Sequence, residues 1–199
     1  MSGSERAAMG ALDAIRARRS IGRMVEPAPA GDDLTAILEA GALAPDHDSL
    51  RPFKFVVLEG DGMDAFGKVL ADAYVARCDA QGKAVDPSKH DKELTKLRRA
   101  PMVVAVCAVR KASEKIPWVE QRDAAVAAAQ NMLLAATALG YGSMWRTGDP
   151  AYDERVKAAL GLTADDDVVG FLYLGTPTDA ARKPPNEARL DDVVEFYAP

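Results

Sequence analysis

The 199-residue chain is poor in the side chains that build metal centres and cross-links, with only two cysteines and two histidines. Cys78 lies in a helical pattern and Cys107 in the apolar run 102–109, and neither has a CxxC neighbour. That argues against a disulfide scaffold and against a zinc cluster. With His47 and His90 as the whole supply, a multi-histidine metal site cannot be assembled. A membrane-spanning run is lacking too. The uncharged stretch 124–139 is 16 residues long and contains Gln130, Asn131 and Thr137, which is too short and too polar to cross a bilayer. The first residues carry Glu5 and Asp13 and have no apolar core of a signal sequence. Positive charge is not in excess, since 25 Lys and Arg face 30 Asp and Glu for a formal net charge of -5. This balance disfavours nucleic acid or an anionic membrane as the main partner. A soluble, cytoplasmic protein is expected.

Several catalytic signatures are also missing. There is no GxSxG elbow, so a serine nucleophile would need His47 or His90. His90, among Lys89, Asp91 and Lys92, reads as solvated. The run 62–69 matches GxxxxGK after a predicted strand, yet Val69 stands where a Mg²⁺-binding hydroxyl is needed and Asp64 would put a carboxylate in a phosphate cradle. Gly140-Tyr141-Gly142 lacks a third glycine and follows a helix, whereas a dinucleotide fingerprint follows a strand. Asp165-Asp166-Asp167 has no EF-hand spacing around it.

What is present is a 48% hydrophobic chain long enough to bury one sizeable core, read as a single domain over residues 1–199. Helical and strand periodicities mix in an α+β pattern. Ala8, Leu12 and Ile15 mark a first helix ending near Ser20. Leu34, Ile37, Leu38 and Gly41 mark a second, stopped before Pro45. Residues 53–58 read as a strand, Gly60-Asp61-Gly62 as a turn, and Phe66 to Tyr74 as a third helix. Residues 79–92 read as a polar excursion before a short helix ending near Arg99. The run 102–109 is a strand covered on both faces. The helix over 118–139 is apolar nearly all round beyond Asp123, so it must be buried on more than one side, as a central helix or a subunit interface. Strands over 141–146 and 168–174 flank a helix striped by Tyr152, Val156, Ala159 and Leu160. The tail ends in Val193-Val194-Glu195-Phe196-Tyr197, an apolar segment that needs a partner surface.

Two polar clusters remain. Arg18-Arg19-Ser20 closes the first helix with two forked, permanently charged donors and a hydroxyl, a set suited to a phosphomonoester. The same cations would also complement a helix C-terminus. Asp46-His47-Asp48-Ser49 puts a histidine beside carboxylates in a loop ahead of a strand, a plausible ligand-facing position.

In order along the chain stand Arg18-Arg19-Ser20 with Glu26-Pro27-Ala28-Pro29, Ala44-Pro45-Asp46-His47 with Arg51-Pro52-Phe53-Lys54-Phe55, residues 142–148, and residues 169–177. Taken together they resemble the nitroreductase family, most of all its compact bacterial branch, over almost the whole length. The resemblance implies an α-β-α sandwich with a mostly antiparallel central sheet, a homodimer whose C-terminal segment extends to the partner subunit, and FMN at each of the interface sites. It implies hydride transfer from NAD(P)H through FMN to a small electrophile, a nitroaromatic or quinone, in ping-pong order. By the same resemblance Arg18, Arg19 and Ser20 bind the phosphate and ribityl side, and His47 reaches the flavin from the partner. Trp145, Arg146 and Thr147 lie along the ring, and Arg182 or Lys183 supplies a second phosphate cation. The flavin carries the reaction, so no catalytic side chain and no metal are expected. The chain departs from the family pattern at Gly22, where a basic residue is common, and at Ser49 and Arg51, which replace the Asn and Gln of an Asn-x-Gln-Pro-Trp pattern. These departures keep open an alternative, a non-catalytic flavin-binding or storage protein on the same fold, with a phosphohydrolase-like P-loop protein as a more distant one.

Overall fold

The structure is a computed structural model that describes residues 9–179, 184 and 187–198. Its centre is the strand β3 (Met102–Ala108), buried at every position. It pairs antiparallel with β2 (Phe53–Glu59) on one side and β5 (Asp167–Pro177) on the other. β4 (Gly142–Arg146) pairs with the opposite edge of β5, and the short β1 (Met24–Val25) with its far end. All these pairings are antiparallel. Among the described residues the isolated bridge Ser20–Ser143 is parallel.

Strand alternation decides the layers. Met102, Val104 and Val106 face α2 (Gly31–Ala42) and α5 (Trp118–Ala138), while Val103, Ala105 and Cys107 face α3 (Gly60–Ala80) and α6 (Glu154–Ala159). The sheet is thus sandwiched between two helical layers, the expected architecture. On β5 the alternation resets, because Gly170 pairs with Val106 and Val168 with Cys107, leaving Val169 as an extra residue. This bulge brings Val168 and Phe171 to the same face although they are three apart. α5 lies between the sheet, α2 and α1 (Ala11–Ala17), which buries it on more than one side. Its inner face is mostly alanine, including Ala124, Ala125, Ala128 and Ala129, and small side chains let the neighbouring elements come close.

Three local expectations are corrected. Gly60-Asp61-Gly62 is not a loop: Gly60 at φ 49° makes the strand-to-helix turn alone, and α3 runs on through Asp61 and Gly62. Within the excursion 79–92, α3 persists to Ala80 and α4 (Pro87–Thr95) starts where the Asp86 carboxylate accepts from the Ser88 N–H at 2.9 Å, with Pro87 in the first turn. No residue of α4 is buried, so its core-free, charged sequence hid the helix. The first helix does not point its apolar stripe inward, since Leu12 and Ile15 are 67% and 53% exposed.

Candidate functional site

α1 ends at Arg18, whose N–H still bonds the Ala14 carbonyl at 2.9 Å while its own backbone turns extended. The next residues then run to the start of β4, where the Ile21 N–H donates to the Ser143 carbonyl at 3.0 Å. Ser143 therefore turns its backbone groups away from β5. By alternation the N–H and carbonyl of Trp145 face the same open edge, whereas the Arg146 carbonyl faces β5, 3.0 Å from where a Cβ on Gly170 would sit. Among the described residues only the Ser20–Ile21 segment bonds to that outer edge, so unpaired backbone groups are available beside the Arg18-Arg19-Ser20 cluster. The fold joins two of the sequence-predicted segments.

Trp145 anchors this strand. Its indole N–H donates to the Val169 carbonyl at 3.2 Å, and a Cβ on Gly170 would lie 2.1 Å from the indole nitrogen. The glycine after the β-bulge is what lets the ring cross. Trp145 packs against the α5-side core, so the segment 145–147 offers a ligand its main chain, Arg146 and Thr147.

Met144 and Arg146 point to the opposite, α3 side, where they border a cleft of about 430 Å³. Leu70, Leu97, Met144 and Phe171 give it apolar walls, and Lys96, Arg99, Arg146 and Thr147 line it with polar groups. The Arg146 guanidinium lies 5.7 Å from the centre of the Tyr173 ring. Burial pushes the Tyr173 hydroxyl up to about 12, against the opposing pull of Arg146 and Arg99. One buried polar atom here, Arg146 Nε, has no hydrogen-bond partner among the described residues, and Ser143 Oγ, likewise unmet, lies on the other face of the strand with Trp145. Leaving a buried donor unmet costs on the order of 1–3 kcal/mol, more for a charged group.

His47 lies elsewhere. It begins the single 3₁₀ turn His47–Ser49 after α2, and its Nδ1 is 2.7 Å from Glu120 in the first turn of α5. The hydrogen bond to Glu120 raises the imidazole pKa above its usual range, with the charges of Glu120, Asp48 and Asp46 adding to it. The Asp46 carboxylate accepts from the Arg51 N–H and closes the loop. Three non-glycine residues in it are left-handed: Asp48 at φ 56°, Ser49 at 55° and Arg51 at 49°. Such residues cost of order 1–3 kcal/mol each and concentrate at ligand clamps. Within one chain His47 does not line the cleft at β4. Arg182 and Lys183 lie outside the described residues.

Sequence reasoning missed Lys96, Arg99 and Tyr173. The first two sit in Lys96-Leu97-Arg98-Arg99, a turn of 3₁₀ helix in which residues three apart share a face. That spacing was the available signal, masked by the surrounding charge.

The nitroreductase family model matches residues 15–176, most of the chain. The protein belongs to the nitroreductase family. Among relatives of this nitroreductase is the Escherichia coli K12 protein named "Putative NAD(P)H nitroreductase YdjA", 40% identical over 169 residues that span 85% of this chain and 89% of that one. A Haemophilus influenzae protein named "Putative NAD(P)H nitroreductase" is 30% identical over 189 residues, 94% and 98% of the two chains. A nitroreductase crystallised in complex with FMN from Desulfovibrio desulfuricans superposes with a TM-score of 0.70 at 28% identity, over 95% of this chain and 98% of that one. A nitroreductase-like protein from Bacillus cereus shares the fold at a TM-score of 0.77 and 21% identity, over 98% and 99%. The family makes the protein an oxidoreductase. No helix among the described residues is long and apolar enough to cross a membrane.

Proposed function

We propose that this nitroreductase is an FMN-dependent NAD(P)H oxidoreductase that passes a hydride to a small electrophile, a nitroaromatic or quinone, from a site shared by the two subunits of a homodimer. The observation that carries the reading is the junction of Arg18-Arg19-Ser20 with the open backbone edge of β4. The residues present fit the cofactor. Arg18 is half-buried, and its guanidinium could offset phosphate charge through charge-assisted hydrogen bonds of roughly 1.5–3 kcal/mol each. Ser20 is exposed and adds a hydroxyl, and Arg19 completes the cluster. The outward N–H of Trp145 suits an acceptor on the ring edge, and the buried, unpartnered Arg146 Nε suits a polar ligand against this strand. Arg146 and Thr147 complete that wall, while Arg182 supplies the second phosphate cation. Bound there, the flavin supplies the hydride chemistry, and the protein positions it and admits substrates.

The strained loop that holds His47 is separate from the cleft in one chain, which supports its serving the partner's site. Apolar surface left uncovered supports the dimer: Leu12 and Ile15 on α1, Leu43 after α2, Val119 at the start of α5, and Phe196 and Tyr197, each 91% exposed. Donor and acceptor take turns in one pocket, so the kinetic order is ping-pong. Anaerobic addition of NADH or NADPH to the purified protein should bleach the flavin spectrum, and initial-rate plots against nucleotide at several acceptor concentrations should be parallel. Flavin should be lost in Arg18→Ala and Ser20→Ala and kept in His90→Ala. Unchanged retention would overturn the phosphate placement, and intersecting lines the kinetic order. Bound flavin that neither nucleotide reduces would make the protein a flavin carrier.

A further inference from the structure

Glu120 stands where a glutamate ordinarily serves its own helix, and its carboxylate is used elsewhere. It is the third residue of α5, behind the N-cap Pro117. At that position a glutamate side chain commonly reaches back to the N–H of the N-cap, and a proline has none to offer. The carboxylate instead meets Nδ1 of His47, 73 residues away in sequence, at 2.7 Å. The contact ties the start of a central helix to the loop of three left-handed non-glycine residues that the Asp46 carboxylate closes through the Arg51 N–H. The charges that act on the imidazole are all negative: Glu120 from α5, and Asp48 and Asp46 from the loop itself. The ring is held by one edge only. Its Nε2 has no hydrogen-bond partner among the described residues, and the side chain is 60% exposed.

An exposed pair of this kind adds little to stability, so its geometry suits a ligand more than the fold. A carboxylate on Nδ1–H fixes the ring's orientation and favours positive charge on it, and the protonated ring is a donor at Nε2. We propose that Glu120 is a positioning residue of the flavin site: it holds His47 as an imidazolium whose Nε2–H donates to an acceptor oxygen of the FMN bound by the partner subunit. The assignment rests on the shared flavin site proposed above, and adds to it the protonation state of His47 and the residue that sets it. A neutral ring that keeps its proton on Nδ1 presents a lone pair at Nε2 and repels the same oxygen, so flavin affinity follows the charge on this histidine. The contribution is present at low pH and is lost as pH rises through the raised pKa of His47.

The test follows FMN release from the diluted holoprotein by flavin fluorescence, from about pH 5 to about pH 9, in the native protein, Glu120→Gln and His47→Ala. Glutamine keeps an acceptor for Nδ1–H and removes the charge. In the native protein FMN affinity should fall about tenfold as pH rises through a midpoint above 6.5, the effect of one lost charge-assisted hydrogen bond. In Glu120→Gln the same fall should come at lower pH, with affinity at acid pH unchanged. His47→Ala should bind FMN more weakly at acid pH and lack the step. The second ionisation of the FMN phosphate, at about pH 6, is common to all three proteins and cancels in the comparison with His47→Ala. A step that does not move in Glu120→Gln, or equal weakening at every pH, makes Glu120 a strut of the loop and overturns the inference. A native profile in His47→Ala places the histidine away from the flavin and overturns the shared-site reading with it. Flavin that neither nucleotide bleaches, in a protein that keeps the step and its shift, upholds the inference and breaks only the redox reading.

Discussion

The two faces of the sheet are built to different degrees of completion. On the α3 face, large side chains such as Phe66, Leu70 and Phe171 close a core against α3 and α6, and α4 covers α3 so closely that Gly67 must lack a side chain. On the α5 face the core between sheet and helices is equally dry, but the layer outside it stops short. Leu12, Ile15, Leu43 and Val119 remain in solvent, and the tail residues Val193, Phe196 and Tyr197 lie exposed. The contrast teaches that one face is finished by this chain alone, while the other is finished in the proposed dimer.

The largest expected effect attacks the unfinished face. Removing residues 191–199 should raise the dimer dissociation constant roughly hundredfold, for two aromatic side chains each contributing about 1.5 kcal/mol or more. Sedimentation and flavin absorbance measured together check it: dimer and flavin should be lost in step, while far-ultraviolet circular dichroism stays native, since the tail covers no core of its own chain. A truncated protein that remains a flavin-loaded dimer would contradict the comparison.

A smaller effect probes the finished face. Gly67→Ala puts a Cβ 2.2 Å from the Leu94 carbonyl oxygen, whereas Gly62→Ala on the same helix meets nothing within 4 Å. The first should destabilise by about 2 kcal/mol, overpacking outweighing a helix-propensity gain of up to about 1 kcal/mol, and the second should stabilise by that smaller amount. Thermal melts should separate the pair by roughly 6–12 °C at this chain length. Equal midpoints would mean that α4 is not held against α3.

The smallest effect concerns His47. Its pKa is raised by the hydrogen bond to Glu120, so the protonated pair forms below the ordinary histidine range and its contribution is lost as pH rises through the raised value. Imidazole chemical shifts should titrate with a midpoint above 6.5, falling toward that value in Glu120→Gln. Global stability should barely change because both groups are exposed.

Legibility followed the local signals. The run 102–109 carried its own evidence, since continuous burial demands continuous apolarity, and β3 occupies Met102–Ala108. The Arg18-Arg19-Ser20 cluster stood out as a candidate because two adjacent cations beside a hydroxyl are conspicuous in the chain, although they also suit a helix C-terminus. α4 was not, because a helix without buried residues has no periodic stripe to reveal it. The GxxxxGK match illustrates the opposite error. Its second glycine, Gly67, is explained by the approach of the Leu94 backbone, a contact between residues 27 apart that no motif encodes.

Sequence alone determined the main strands and helices, the family resemblance and the cluster Arg18-Arg19-Ser20, because each depends on side-chain type and short-range period. Only the tertiary structure decided which groups meet. It set Ser20 beside Ser143, turned the Trp145 backbone to an open edge over Gly170, gathered Lys96, Arg99 and Arg146 around one cleft, and kept His47 apart from it. The reason is that hydrogen-bond register and the extra residue Val169 fix strand neighbours over long sequence separations, and a one-residue change of register moves every side chain to the other face.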